Sequence, residues 1–124
     1  MWDTYFGKRI KGGGYALKGA WLLLKSEASI QVQAVIALVM VLAGVYFDIA
    51  PTEWILQTMA IGLVMGLEAL NTAVEKMADF IHPDFHSKIG FIKDIAAGAV
   101  FFGALAAIIV GCIIYVPYLL EVCK

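Results

Sequence analysis

Five polar residues recur at helical spacing in a stretch that is otherwise largely apolar: Glu68, Asn71, Thr72, Glu75 and Asp79. At about 100° per residue they fall within roughly a third of a helix circumference. Three carboxylates, an amide and a hydroxyl therefore share one stripe, while Leu67, Leu70, Val74 and Met77 supply apolar surface elsewhere. A helix end leaving a membrane would account for Asp79 and for Glu75. It accounts poorly for Glu68, which has apolar residues on both sides. An ionisable group at such a position is costly and marks function by default.

Stacked carboxylates require countercharges. Magnesium takes oxygen ligands and is commonly held by one or two carboxylates together with substrate phosphates. Lys93, beside Asp94, is a second source of positive charge. Metal and lysine together stabilise the charge spread over a phosphoryl group in transfer, and a carboxylate can take the proton of an attacking hydroxyl. Glu27, in the segment SEASIQ, is a further acid; a favourable charge at a helix start explains it equally well. His82 and His86 are loop histidines, a type that is usually solvated. No GxxxxGK[ST]-type phosphate loop is present, and Gly12–Gly14 followed by Lys18 does not have its spacing. Cys112 and Cys123 fit neither a disulfide framework nor a zinc spacing.

The elements that must position these groups follow from hydropathy. The chain has 124 residues, 62% of them apolar, with a mean hydropathy of +0.87. A soluble domain this small could not hide so much apolar surface. Apolar runs at about 30–47, 54–81 and 95–120 each approach the roughly 20 residues that cross a bilayer, and they read as helices. The expected class is an all-α membrane protein, one domain over 1–124, with membrane helices over 30–48, 54–81 and 93–120. Pro51 and Pro83 mark the short links. Gly62 with Gly66, and the alanines and glycines of the third run, suit close helix packing, including against another copy of the chain.

Residues 1–28 interleave aromatic and aliphatic side chains, Trp2, Tyr5, Phe6, Ile10, Tyr15, Leu17 and Trp21, with lysines. This predicts a helix on the membrane surface, broken or jointed at Gly12–Gly14. It lacks the uninterrupted apolar region of a cleaved signal peptide. Eight of the nine Lys and Arg residues precede the first span or cluster around the second link. The positive-inside rule then puts the N-terminus and the second link in the cytoplasm, and the first link and the C-terminus outside. A nucleic-acid partner is not expected.

The segment EALNTAVEKMADFIHPDFHSKIGFIKDIAAGAV, Glu68 to Val100, resembles the signature of the prokaryotic diacylglycerol kinase family, which includes undecaprenol kinases. The pattern E-x-x-N-S/T-A-I/V-E-x-x-x-D, a following histidine and K-D carry the resemblance. GYALKG and SEA extend it over almost the whole chain. The resemblance implies a homotrimeric lipid kinase of the bacterial cytoplasmic (inner) membrane, with three membrane helices and a surface helix per chain. It would transfer phosphate from ATP, with Mg2+, to diacylglycerol or undecaprenol at sites between protomers. By the same resemblance Glu68 is the general base and Glu27 and Glu75 hold the metal. Tyr15, Asp84, Phe85, His86, Lys93 and Asp94 contact the nucleotide, and Asn71 and Asp79 line the site. The family's N-terminal arginine aligns with Lys8, with Arg9 one position later. After Glu27 the chain reads ASIQVQ, a departure that bears on the lipid pocket. HPDFHSKIGFIKDIAAGAV and IIVGCIIYVPYL stand nearer the undecaprenol-type members. The competing expectation is a non-enzymatic membrane protein, an ion-conducting oligomer or a subunit of a complex, which would explain Glu68 but not Lys93–Asp94.

Overall fold

The protein, described here by a computed structural model, comprises four helices: α1 (Trp2–Ser26), α2 (Ala28–Phe47), α3 (Pro51–Ile81) and α4 (Ser87–Val122). Residues 2–124 are described, with side chains from Thr4 onward. The side chain of Trp2, expected at the membrane surface, lies outside the described residues. α2, α3 and α4 are each long and apolar enough to cross a membrane.

The joint between α1 and α2 is one residue, Glu27, with an extended backbone (φ −107°, ψ 116°). The Ser26 hydroxyl donates to the Leu22 carbonyl at 2.6 Å, and such back-bonding bends helices. Gln31 then donates its amide to the Leu24 and Lys25 carbonyls at 3.1 and 3.2 Å. Carbonyls left over at the end of α1 are thus satisfied by the next helix.

The expected break at Gly12–Gly14 does not occur: α1 runs through all three glycines. Glycine costs a helix only about 1 kcal/mol per residue relative to alanine, which flanking turns can outweigh. A Cβ added at Gly12, Gly13 or Gly14 would meet nothing within 4 Å. Replacing all three with alanine is therefore expected to stabilise α1, raising the helicity of a residue 2–26 peptide in micelles by circular dichroism. Unchanged helicity would show that these glycines carry no propensity cost in this setting.

At the other end, Asp48 takes the left-handed conformation (φ 51°, ψ 56°) and ends α2. Asp tolerates that region because its short polar side chain bonds locally. Pro51 opens α3, where a missing N–H costs nothing. Glu53 Oε1 accepts from the Ala50 N–H at 2.9 Å and from the Tyr118 hydroxyl at 2.6 Å, pinning the end of α4 to the start of α3. Ile49, Ile114 and Tyr115 form a buried cluster here, packed by Phe47, Trp54 and Tyr118 among others. Gly44 is required at this point, because a Cβ would stand 2.6 Å from Trp54 Cη2.

The most extensive helix contact is between α3 and α4. Gly103 receives Leu67, whose Cδ1 would lie 2.5 Å from an added Cβ. Leu67 is therefore part of the packed seam rather than of a bare apolar face. Gly62 and Gly66, by contrast, meet nothing within 4 Å, so this pair does not serve packing inside the chain. One polar cluster crosses all three long helices. Tyr115 donates to Gln57 Oε1 at 2.5 Å and lies 3.0 Å from the Met40 carbonyl, which also accepts from Gln57 Nε2 at 3.2 Å. Each buried group there has a partner, as low dielectric demands.

Candidate functional site

The apolar core gathers at the α2–α3 link, leaving the opposite end of the three long helices to the polar stripe. On α3 the stripe shares its side of the helix with buried Val64, Thr72 and Ala78. Thr72 is buried, Asn71 and Glu68 are partly buried, and Glu75 and Asp79 are exposed. The stripe therefore begins between helices and emerges toward water along α3.

Glu68 has no hydrogen-bond or ion-pair partner among the described residues. One turn on, Asn71 Nδ2 donates to Glu75 Oε1 at 3.2 Å. An ionised carboxylate only accepts, so this contact fixes which end of the amide faces Glu75. It leaves Asn71 Oδ1 buried and unpartnered, a condition that native structures rarely leave unexplained. A further turn on, Asp79 Oδ1 receives Lys93 Nζ from α4 at 2.6 Å. Lys93 and Asp79, placed separately by sequence, are one pair. Asp94, next to Lys93, is exposed.

Glu27 joins the same region from the α1–α2 joint. Its Oε1 lies 3.2 Å from Lys76 Nζ. Lys76 follows Glu75 directly, so Glu27 stands at the level of the stripe. Lys76 itself was not anticipated: its neighbour Glu75 was the signal, but only the rotation of α3 against α2 reveals the contact.

The link between α3 and α4 carries Asp84, Phe85 and His86, all exposed. His86 Nδ1 accepts from the Lys88 N–H at 3.1 Å and caps α4. That use leaves Nε2 as the ring nitrogen with no hydrogen bond among the described residues. His82 Nδ1 lies 2.7 Å from the Asp84 carbonyl, which accepts only, so this nitrogen carries the hydrogen. The two imidazoles meet edge to face with centroids 5.3 Å apart. On α1, Arg9 lies over the Tyr5 ring and donates to its hydroxyl at 3.2 Å. Lys8 and Tyr15 are exposed and have no partner among the described residues.

Glu27 and Glu75 are the hard oxygen donors magnesium accepts, and the orphaned Asn71 Oδ1, at the other end of the amide that meets Glu75, is a further oxygen of the stripe. Among the described residues no three His, Cys, Asp or Glu side chains converge on one point. Such donors fit an ion whose shell is completed by phosphate oxygens and water rather than by a protein cage.

A cavity of about 450 Å³ lies elsewhere, between α2, α3 and α4. Ile36, Met40, Gln57, Val64, Ala107 and Tyr115 are among its lining, and none of the acids is. Its walls include Val64 and Met65, one turn before Glu68.

Residues 14–115 match the family described as Prokaryotic diacylglycerol kinase. The chain is 33% identical over 105 residues to the undecaprenol kinase of Bacillus subtilis, a match covering 85% of each protein. It is 32% identical over 114 residues to the diacylglycerol kinase of Escherichia coli, covering 90% of this chain and 91% of that one. A shorter match, 47% over 60 residues, relates it to a diacylglycerol kinase of Synechocystis, covering 48% of this chain and 34% of the relative.

Proposed function

The chain belongs to the prokaryotic diacylglycerol kinase family and is a lipid kinase with three membrane-crossing helices, and we propose that it transfers the γ-phosphoryl group of ATP to a lipid hydroxyl at the cytoplasmic face of the bacterial inner membrane. The observation that carries this reading is Glu68: a partly buried, unpartnered carboxylate among apolar neighbours, with an amide, two further acids and a lysine on the next turns. A carboxylate with no partner is free to take a proton.

In this reading the lipid lies along the apolar cavity and presents its hydroxyl to Glu68 from the bilayer side. Glu68 accepts the hydroxyl proton as the new O–P bond forms and the bond to ADP breaks. Lys93, held by Asp79, offers its ammonium to the phosphate oxygens. Lys8, Tyr15, Asp84, Phe85, His86 and Asp94 surround the nucleotide from α1, the α3–α4 link and the start of α4. Glu27 and Glu75 would hold magnesium, which supplies charge neutralisation to the phosphates when bound.

α1 lies on the cytoplasmic surface. As a continuous helix it collects Phe6, Ile10, Leu17, Trp21 and Leu24 on one side and Lys8, Lys11, Lys18 and Lys25 on another. That division suits apolar burial at the headgroups with lysines on lipid phosphates. The chain assembles as a homotrimer, in which the free surfaces at Gly62 and Gly66 meet another copy. The N-terminus and α3–α4 link face the cytoplasm, and the C-terminus faces outward.

Diacylglycerol and undecaprenol are the two acceptors the relatives' names point to. The deciding assay supplies ATP labelled at the γ-phosphate and both lipids in parallel mixed micelles. Label in phosphatidic acid or in undecaprenyl phosphate identifies the acceptor. Label in neither lipid defeats the proposal.

A further inference from the structure

Lys76 makes a contact that the proposed reaction does not use. Its ammonium is 3.2 Å from Glu27 Oε1, and the two side chains differ sharply in exposure, 70% for Lys76 and 23% for Glu27. Glu27 is held from both sides by the backbone. Its N–H donates to the Leu23 carbonyl and its carbonyl accepts from Gln31 N–H, each at 3.0 Å. The extended conformation at this single residue therefore sets where its carboxylate points. That side chain is partly covered, so a cation beside its carboxylate offsets lost hydration. Lys76 keeps most of its ammonium and stem in solvent, so it can leave the pair at small cost.

Lys76 also sits directly after Glu75, whose Oε1 is held by Asn71. One ammonium thus occupies the side of Glu27 that faces the second carboxylate's helix. A divalent ion bound by Glu27 and Glu75 would need that same side of Glu27. Both cations cannot lie against Glu27 Oε1 together, since the ammonium already occupies the space beside that oxygen that a directly bound ion would need, and two like charges there disfavour each other.

We propose that Lys76 is a positioning residue that competes with the divalent cation for Glu27, holding the carboxylate toward α3 and giving way when the metal–nucleotide complex binds. This rests on the reading of Glu27 as a metal ligand. Its consequence is a graded affinity: the apparent metal dissociation constant is the intrinsic one divided by the fraction of time the ion pair is open. The pair also ties the α1–α2 joint to α3 at the end of the molecule remote from the main apolar cluster.

The test is Mn2+ binding followed by electron paramagnetic resonance, with a non-hydrolysable ATP analogue present, on purified protein in micelles. Wild type, Lys76→Met, Lys76→Arg, Glu27→Gln and the Lys76→Met/Glu27→Gln double variant are compared. Lys76→Met is expected to bind Mn2+ about fivefold more tightly than wild type. Lys76→Arg is expected to bind as wild type does, and both Glu27→Gln forms weakly. Without metal, Lys76→Met is expected to melt below wild type and to regain the difference on adding Mn2+. Equal or weaker Mn2+ affinity in Lys76→Met, with Glu27→Gln still weakening binding, overturns the competition and leaves Glu27 as a ligand. Affinity indifferent to Glu27→Gln in either background overturns the metal-ligand reading itself.

Discussion

Glu68→Gln is expected to lower phosphoryl transfer by about 10²- to 10⁴-fold, the range a general base contributes, while the protein folds and assembles as before. Gln keeps the shape and removes the proton-accepting charge. Because Glu68 has no partner among the described residues, the change breaks no hydrogen bond or ion pair. Removing a charge from a partly buried membrane position relieves a cost rather than adding one. Melting in micelles should therefore stay level or rise. The Michaelis constant for ATP should change little, since the proposed nucleotide contacts lie on other turns. Glu68→Asp tests position instead of charge: withdrawing the carboxylate by one methylene misplaces it by more than catalysis tolerates. Turnover within twofold of wild type in Glu68→Gln would remove Glu68 from the role of base and leave its burial without a purpose.

That expectation rests on residues already legible in the sequence. A run of apolar residues interrupted by Glu68, Asn71, Glu75 and Asp79 at helical spacing has few explanations in lipid, and the three spans announce themselves by length. The limits of those spans are another matter. Hydropathy predicts the last membrane helix over 93–120, whereas α4 begins at Ser87. Apolar content marks the stretch suited to lipid, while the helix start is set by the exposed His86 cap. The continuity of α1 through three glycines was hidden for a related reason. Propensity is a weak local term, and the cooperative extension of a helix from both sides can override it.

Contacts between helices were the least legible part. Periodicity places residues on one face of α3 but leaves open how that face is turned toward α2 and α4. Lys93 with Asp79 and Lys76 with Glu27 both depend on that rotation. So does the Gln57–Tyr115 pair, whose members are 58 residues apart. The signal available in sequence was the presence of Gln57 in a membrane span, since a buried amide there must find partners. The resemblance supplied Lys93 and Asp79 as separate site residues. Their 2.6 Å contact joins them as one ion pair.

Lys93→Met is expected to cost about 10²- to 10³-fold in kcat, comparable to removing one preorganised donor from a developing charge. The carbon stem is preserved and only the ammonium is lost. Asp79→Asn is expected to cost much less, about tenfold, because the ammonium survives and only its placement loosens. Asp79 is the exposed partner, 61% against 36% for Lys93, so the pair adds little to stability. Both variants should melt near wild type. The informative measurement is the cycle. If Asp79 acts only through Lys93, the double variant Lys93→Met/Asp79→Asn is no slower than Lys93→Met alone, because nothing remains to be positioned. If the two costs multiply, Asp79 touches the nucleotide or the lipid in its own right and the ion pair is incidental. Salt gives a second readout of the same distinction. An exposed pair is screened as ionic strength rises, so wild-type activity should drift toward that of Asp79→Asn, while Lys93→Met, having no pair to screen, should respond less.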